Sequence, residues 1–437
     1  MEMTETAKKL LSDIESRNAV VGVMGLGYVG LPLAMTFAEK GFRVLGFDVD
    51  PSKIENIASG ESYIGDVESG PLAEQVQSGR LSATVDMSRL SEPDAICICV
   101  PTPLRKTRDP DMSYVTGALE EIKKTLRPGQ LVVLESTTYP GTTEELVAPA
   151  LATEDLVLGE KVFVAASPER VDPGQQRWTI ENTPKVVGGL TSACRSLAGA
   201  LYGAIVDQVV SVGRPTAAEL TKLFENTFRA VNIGLANEMA HICHHLGIDT
   251  WEIVEAAATK PFGFMPFFPG PGIGGHCIPV DPLYLSWKLR SKNVQSRFID
   301  LADEFNRGMP EYVVTRAMHL LNSRKQPVNG ADVLVLGVAY KKNVSDVRES
   351  PSIDVIERLR RFGANISYND PYVPELRIGT EEFRSEELTA ERMKRADLVL
   401  ILAAHDDFDP RFIIESASLV LDTRNLVRER HGHVVRL

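Results

Sequence analysis

The run GPGIGGHCIPVD, from Gly270 to Asp281, sets four glycines and a proline in the seven residues ahead of Cys277. Glycine and proline both weaken regular structure. The run therefore reads as an irregular loop that presents one thiol, with Asp281 four residues on. Most free cysteines are small buried hydrophobes, and that reading stays open for Cys277. Beside a hydride acceptor, though, a thiolate suggests covalent chemistry on an aldehyde. The sulfur attacks, the adduct gives up a hydride, and water cleaves the thioester that remains. A site for such an acceptor is written near the other end of the chain. Gly25-x-Gly27-x-x-Gly30 follows an apolar run and opens a helical pattern, as in turns that hold a pyrophosphate at a helix N-terminus. Asp48 lies eighteen residues past Gly30, at the end of the next apolar run. A carboxylate there accepts from an adenosine ribose and favours NAD over NADP, because it repels a 2′-phosphate.

Three further polar turns follow strand-like runs: VPTP with Thr102, ESTTYPG with Ser136 and Thr137, and SPERVDPG with Glu169. Each is weak alone, and Thr102 reads equally well as part of a simple turn. Together they describe the rim of one crevice at the strand ends. Lys222 and Asn226 stand one helical turn apart and share a face; on an otherwise apolar helix they also describe a solvated edge. His276 adjoins Cys277, and neighbouring side chains usually point apart, which gives it a supporting or structural place. Cys97 and Cys99, in DAICICVPTP, read as core.

These residues need elements to position them. Apolar runs and helical patterns alternate over residues 1–210, which predicts a mostly parallel sheet covered by helices and carrying the NAD site. Residues 211–325 read as nearly all helix, with one long helix from Arg214 to about Leu246, a second over Thr250–Ala258 and a third over Val294–Leu321. Alternation resumes over 326–437, with strands expected at Val333–Leu336, Ala364–Tyr368, Leu398–Leu402 and Leu419–Leu421. The two α/β parts read as distant echoes of one another. The chain has 437 residues and a net charge of -12, which argues against nucleic acid as a partner. No apolar run is long enough to cross a bilayer, and the first twenty residues lack a signal-peptide core. Five scattered cysteines fit a reducing cytoplasm and show no metal-site spacing.

In order, GLGYVGLPLA, FDVD, VPTP, ESTTYPGT, SPER, ELTKLFENTFRAVNIGLANE, GGHCIPVDP and DVRESPS resemble the nucleotide-sugar 6-dehydrogenases along nearly the whole chain. The resemblance implies an α/β fold of two Rossmann-like doubly wound domains joined by a long central helix that also forms a dimer interface. It implies a homodimer or higher homo-oligomer in the cytoplasm, with no nucleic-acid, membrane or metal partner. The implied reaction oxidises the C6 alcohol of a UDP-sugar to a carboxylate with two NAD. Residue by residue, Cys277 matches the nucleophile, Lys222 the oxyanion-stabilising lysine and Asn226 its partner. Asp281 and Thr137 match residues that activate and hold water, and Glu169 the first glutamate of its loop. Gly25, Gly27, Tyr28, Val29, Gly30, Asp48, Thr102, Ser136, Thr137 and Arg348 form the implied cofactor set, Arg348 closing over cofactor and substrate phosphates. Arg170, Phe267, Phe268, Gly272, Gly274, Gly275 and Lys341 join Glu169, Lys222 and Asn226 on the substrate side.

Departures from the glucose-specific members select the substrate. Those carry a second glutamate where this chain has Pro173, and an arginine reaching the neighbouring subunit where it has TKPFG, with Lys260 and Pro261. FFPGPGIGGHCIPVDPLYLSWK is most similar to UDP-N-acetylglucosamine members, and Phe262, Phe264, Phe267 and Phe268 offer apolar surface to an acetyl methyl or pack in the core. The expected substrate is UDP-N-acetylglucosamine. UDP-N-acetylmannosamine, UDP-N-acetylgalactosamine and UDP-glucose are the alternatives within the class. An alcohol dehydrogenase that stops at aldehyde, or a nucleotide-binding protein without chemistry, are the alternatives outside it.

Overall fold

The computed structural model describes residues 3–171 and 177–437. Pro173 lies outside the described residues. The backbone groups into two compact units, residues 1–225 with 283–293, and residues 226–282 with 294–437.

Among the described residues the first unit is built on eight strands: β1 Val20–Met24, β2 Arg43–Phe47, β3 Leu81–Thr84, β4 Ala95–Ile98, β5 Leu131–Leu134, β6 Phe163–Ala166, β7 Lys185–Gly189 and β8 Val209–Val212. Their order across the sheet is β3-β2-β1-β4-β5-β6-β7-β8, and every pairing is parallel except β6 with β7. Val21, Val23, Cys97, Val133 and Ala165 point into one core, while Met24, Ile96, Ile98, Val132 and Val164 point into the other. Both faces are covered, so these strands read as continuous apolar runs rather than alternating ones. The order of strand succession reverses between the parallel neighbours β1 and β4, the switch point at which ligands enter such sheets.

The second unit carries a five-stranded parallel sheet in the order β10-β9-β13-β14-β15, formed by β9 Asp332–Leu336, β10 Asn365–Asn369, β13 Leu398–Ile401, β14 Val420–Asp422 and β15 Val434–Arg436. A hairpin, β11 Glu375–Ile378 with β12 Glu381–Arg384, stands apart. The echo between the sheets extends to one contact. In the first, Asp48 after β2 accepts from the Leu26 N–H after β1 at 2.8 Å. In the second, Asp370 after β10 accepts from Val338 and Ala339 N–H after β9 at 2.8 and 3.1 Å.

A 32-residue helix, Pro215–Leu246, begins in the first unit and ends in the second. Its exposed side carries Leu220, Phe224, Phe228, Leu235, Ile242 and Leu246. The helix expected from Val294 starts later, at Arg297, and runs to Ser323. No helix among the described residues is long and apolar enough to cross a membrane.

Candidate active site

In the first unit the loops after β1, β4 and β5 are laced together. Gly25 has φ +90° and a built Cβ would sit 2.8 Å from the Cys99 carbonyl. At Gly30 a Cβ would lie 1.8 Å from the Gly25 carbonyl, so the helix Gly30–Glu39 packs on the turn only without a side chain. Gly27 faces open space, with nothing within 4 Å of a built Cβ. Tyr28 is exposed and Val29 half-buried. The Thr102 hydroxyl donates to the Thr137 carbonyl at 2.7 Å, and Ser136 Oγ lies 2.7 Å from the Val100 carbonyl. These two hydroxyls therefore hold the turns that were expected to present them. Tyr284, fully buried, donates to the Thr102 carbonyl.

Asp48 is buried, and its Oδ2 accepts from Leu26 N–H and, at 2.9 Å, from Lys53 Nζ. Its Oδ1 accepts from Asp50 N–H at 3.0 Å. A carboxylate offers about four acceptor positions, so Oδ1 keeps capacity for a hydroxyl. Open backbone at Gly27 and that spare acceptor both fit a dinucleotide.

Two polar clusters in this unit escaped the sequence reading. Glu219, on the buried side of the long helix, accepts from Gly141 N–H at 2.6 Å, Thr143 N–H at 2.8 Å and the Thr143 hydroxyl at 2.6 Å. It thereby pins the turn that begins at Glu135. Lys185, the first residue of β7, donates to Glu135 at 2.7 Å and to Glu169 at 2.9 Å. Glu135 also accepts from the Tyr202 hydroxyl, which lies 3.6 Å from Cys97 Sγ. Burial pushes the Glu135 carboxyl up to about 7, against the pull of Lys185. Burial also opposes ionisation of Glu169, but Lys185 and the Val171 and Arg170 N–H groups outweigh it and hold that carboxyl below its ordinary range. Arg170 turns away to Glu225, at 2.6 Å. Cys97 and Cys99 are buried, as expected of core thiols. Lys185 and Tyr202 stand on an unremarkable strand and helix, and no motif marks them.

Lys222 and Asn226 are 8% and 3% exposed, so the pair is no solvated edge. In the second unit, Asn226 Nδ2 donates to Asp281 Oδ2 at 2.5 Å. The Asp281 N–H donates to the Cys277 carbonyl at 2.8 Å, closing a turn at the thiol. Cys277 itself is half-buried. The loop is anchored upstream, where Gly270 N–H donates to Asn237 at 3.0 Å and Asn237 donates to the buried Asn306 at 2.9 Å. Its glycines are shaped by protein contacts. A Cβ at Gly274 would lie 2.6 Å from Tyr340 Cβ and 2.8 Å from the Glu349 carbonyl, and one at Gly275 would lie 2.9 Å from the Tyr340 ring. Gly272, at φ +132°, packs against Pro351. Gly275 N–H donates to the Arg348 carbonyl at 3.2 Å. Arg348 also grips Asp346 and approaches His276 Nδ1 at 3.3 Å, so His276 faces the arginine. Lys341 lies over the Tyr340 ring, 5.7 Å from its centroid. Phe267 packs edge-on against Phe228, and Phe268 stacks on Trp251 while remaining 47% exposed. Phe262 and Phe264 are exposed as well, so the core is not where these rings sit.

A glycine turn and acceptor that fit a dinucleotide, at the switch point of a doubly wound sheet, put the first unit among dinucleotide-binding domains. Comparison with known proteins narrows the class. Models of the UDP-glucose/GDP-mannose dehydrogenase family match residues 19–206 (NAD binding domain), 216–308 (central domain) and 334–429 (UDP binding domain). The chain belongs to this family and is an NAD-dependent UDP-sugar 6-dehydrogenase. The UDP-N-acetyl-D-glucosamine 6-dehydrogenase of Pseudomonas aeruginosa is 37% identical over 359 residues, 81% of this chain and 83% of that protein. A UDP-N-acetyl-D-mannosamine dehydrogenase of Methanococcus maripaludis is 34% identical over 393 residues, 88% of this chain and 86% of that one. The structure of the UDP-D-ManNAc dehydrogenase from Pyrococcus horikoshii superposes with a TM-score of 0.86 at 32% identity, covering 95% of this chain and 98% of that chain.

Proposed function

We propose that the chain oxidises UDP-N-acetylglucosamine to the corresponding uronate through a thiohemiacetal and a thioester on Cys277. The observation that carries the mechanism is the turn at the thiol: Asp281 closes it through its N–H, and Asn226 holds the Asp281 carboxylate. Bound NAD supplies a hydride acceptor, once for the alcohol and once for the thiohemiacetal. Gly25, Gly27 and Gly30 admit its pyrophosphate, Asp48 takes its ribose hydroxyl, and the turns bearing Thr102, Ser136 and Thr137 line its crevice. The Lys222 ammonium steadies the negative oxygen of the alkoxide and then of the thiohemiacetal, with Asn226 beside it. The Cys277 sulfur bonds to C6 of the aldehyde. After the second oxidation, a water held by Thr137 and Asp281 breaks that C–S bond, releasing carboxylate and free thiol. Glu169 acts as an ionised carboxylate in the reaction. Arg348, Lys341 and Arg170 serve the phosphates and the substrate loop.

In this reading residues 1–210 bind NAD, 326–437 bind the UDP-sugar, and 211–325 dimerise through the exposed apolar side of the long helix. Buried Asn226 and Lys222 against exposed Phe224 and Phe228 support that division of the helix faces. For the sugar, the support is the identity to the P. aeruginosa enzyme and the exposed rings of Phe262, Phe264 and Phe268 near the thiol loop. UDP-N-acetylmannosamine is the second reading, favoured by the M. maripaludis and P. horikoshii relatives. Initial rates with UDP-N-acetylglucosamine, UDP-N-acetylmannosamine, UDP-N-acetylgalactosamine and UDP-glucose under matched NAD decide between them. A tenfold preference in kcat/KM needs about 1.4 kcal/mol of differential transition-state binding, within reach of a few sugar contacts. Turnover of UDP-glucose equal to that of the N-acetylated sugars overturns the substrate assignment and leaves the chemistry standing.

A further inference from the structure

Lys185, which the mechanism above does not use, stands at the centre of a buried cluster. Its side chain is 3% exposed, and Nζ donates to Glu135 Oε2 at 2.7 Å and Glu169 Oε2 at 2.9 Å. Glu135 opens the turn that carries Ser136 and Thr137, and Glu169 sits in the loop after β6. Among the described residues the lysine is thus the one cation bridging these two segments. Glu169 Oε1 is occupied too, accepting from Arg170 N–H at 2.6 Å and Val171 N–H at 2.7 Å. Around the cluster lie the Tyr202 hydroxyl on Glu135, Cys97 beside that hydroxyl, and the buried Cys99 after β4. The Lys185 ammonium also lies 5.3 Å from the centroid of the Tyr202 ring. Two carboxylates therefore face one ammonium, with Lys185 and Glu135 buried and Glu169 11% exposed, and no other cation bonds either of them among the described residues. Charges taken out of water demand partners, so losing the lysine forces at least one carboxylate to take up a proton.

We propose that Lys185 is a positioning residue for the oxidation: from beneath the crevice it ties the Glu135–Thr137 turn to the Ser167–Val171 loop and keeps Glu169 ionised. The inference rests on the reading that Glu169 acts as a carboxylate in the reaction. Glu135 is the competing partner, since it shares the same ammonium.

The test is the pH profile of kcat at saturating NAD and UDP-N-acetylglucosamine, for the wild type and for K185M, K185R, E135Q and E169Q. Removing an opposite charge at this distance raises a carboxyl by about 1–3 pH units. K185M should move the acid limb of the profile up by at least about one unit, a tenfold loss of kcat on that limb, while the alkaline plateau stays within a few-fold. K185R should return the limb toward its wild-type place. E135Q keeps the lysine and removes its rival, so it should move the limb down; it also serves if K185M does not fold. A K185M profile lowered by one factor at every pH, or unchanged, overturns the proposal, as does an E135Q limb that moves up or stays. E169Q with wild-type kcat and profile would instead sink the reading of Glu169, and the inference with it.

Discussion

Replacing Glu219 by glutamine should loosen the turn that carries Thr137 without touching the crevice itself. The carboxylate is 4% exposed and accepts three hydrogen bonds, from Gly141 N–H, Thr143 N–H and the Thr143 hydroxyl. Glutamine keeps one accepting oxygen and turns an NH₂ toward the remaining donors. At least one bond to a charged group is lost and one buried donor is orphaned, together about 3 kcal/mol. Burial already pushes the Glu219 carboxyl above its ordinary range, and relief of that desolvation offsets part of the loss. The net expectation is a loss of about 2 kcal/mol, read as a lower urea midpoint for the transition that contains the first unit. Because a chain with two units need not unfold in one step, the transition is followed by a probe placed in the first unit. A change below about 0.5 kcal/mol would refute the reasoning, because surface substitutions alone produce that much.

Lys222→Ala should lower kcat by about 100-fold or more and leave KM nearly unchanged, since a charge aimed at a developing oxyanion acts mainly in the transition state; a pure rise in KM would mark Lys222 as a binding residue. Asp48→Ala should weaken NAD and narrow the preference over NADP, measured by initial rates with both cofactors. If the preference stays where it was, another residue reads the ribose. Gly275→Ala should destabilise the thiol loop, because its φ of +83° strains a side chain whose Cβ would lie 2.9 Å from Tyr340. About 1 kcal/mol or more of lost stability is expected in urea unfolding, and no change contradicts the packing described.

Much of this arrangement was written in local patterns. The strand ending at Met24, the strand ending at Phe47 and the helix over Thr250–Ala258 follow from apolar runs bounded by glycine, Asp48 and an Asp249 cap. The glycines at 25, 27 and 30 announce themselves by spacing, and the thiol loop by its glycine density. Several short strands were hidden, β7 and β8 among them. KVVGG, β7, ends in two glycines, and β8 is partly exposed, so neither gives a clean period. The polar supports were hidden for a different reason. Glu219, Lys185, Asn237 and Asn306 find partners 16 to 78 positions away in the chain. Only the folded topology brings such residues together. The glycines of GPGIGG carried a half-message. Their density predicts a close approach, but Tyr340 and the Glu349 carbonyl, which make that approach, belong to a segment some seventy residues later. Lys222 and Asn226 needed burial to be told from a solvated edge, and helical spacing alone does not supply it.

In the proposed reaction Cys277 holds the sugar between two oxidations. The most direct measurement is the amount of NADH formed per UDP-N-acetylglucosamine consumed to completion, by the wild type and by Cys277→Ser. Four-electron oxidation through a thioester predicts two NADH per sugar and a uronate product for the wild type. For the serine variant it predicts that steady turnover to the uronate collapses while substrate and NAD still bind, because an ester forms and breaks less readily than a thioester. One NADH per sugar with free aldehyde released, or unchanged steady turnover in Cys277→Ser, would contradict it.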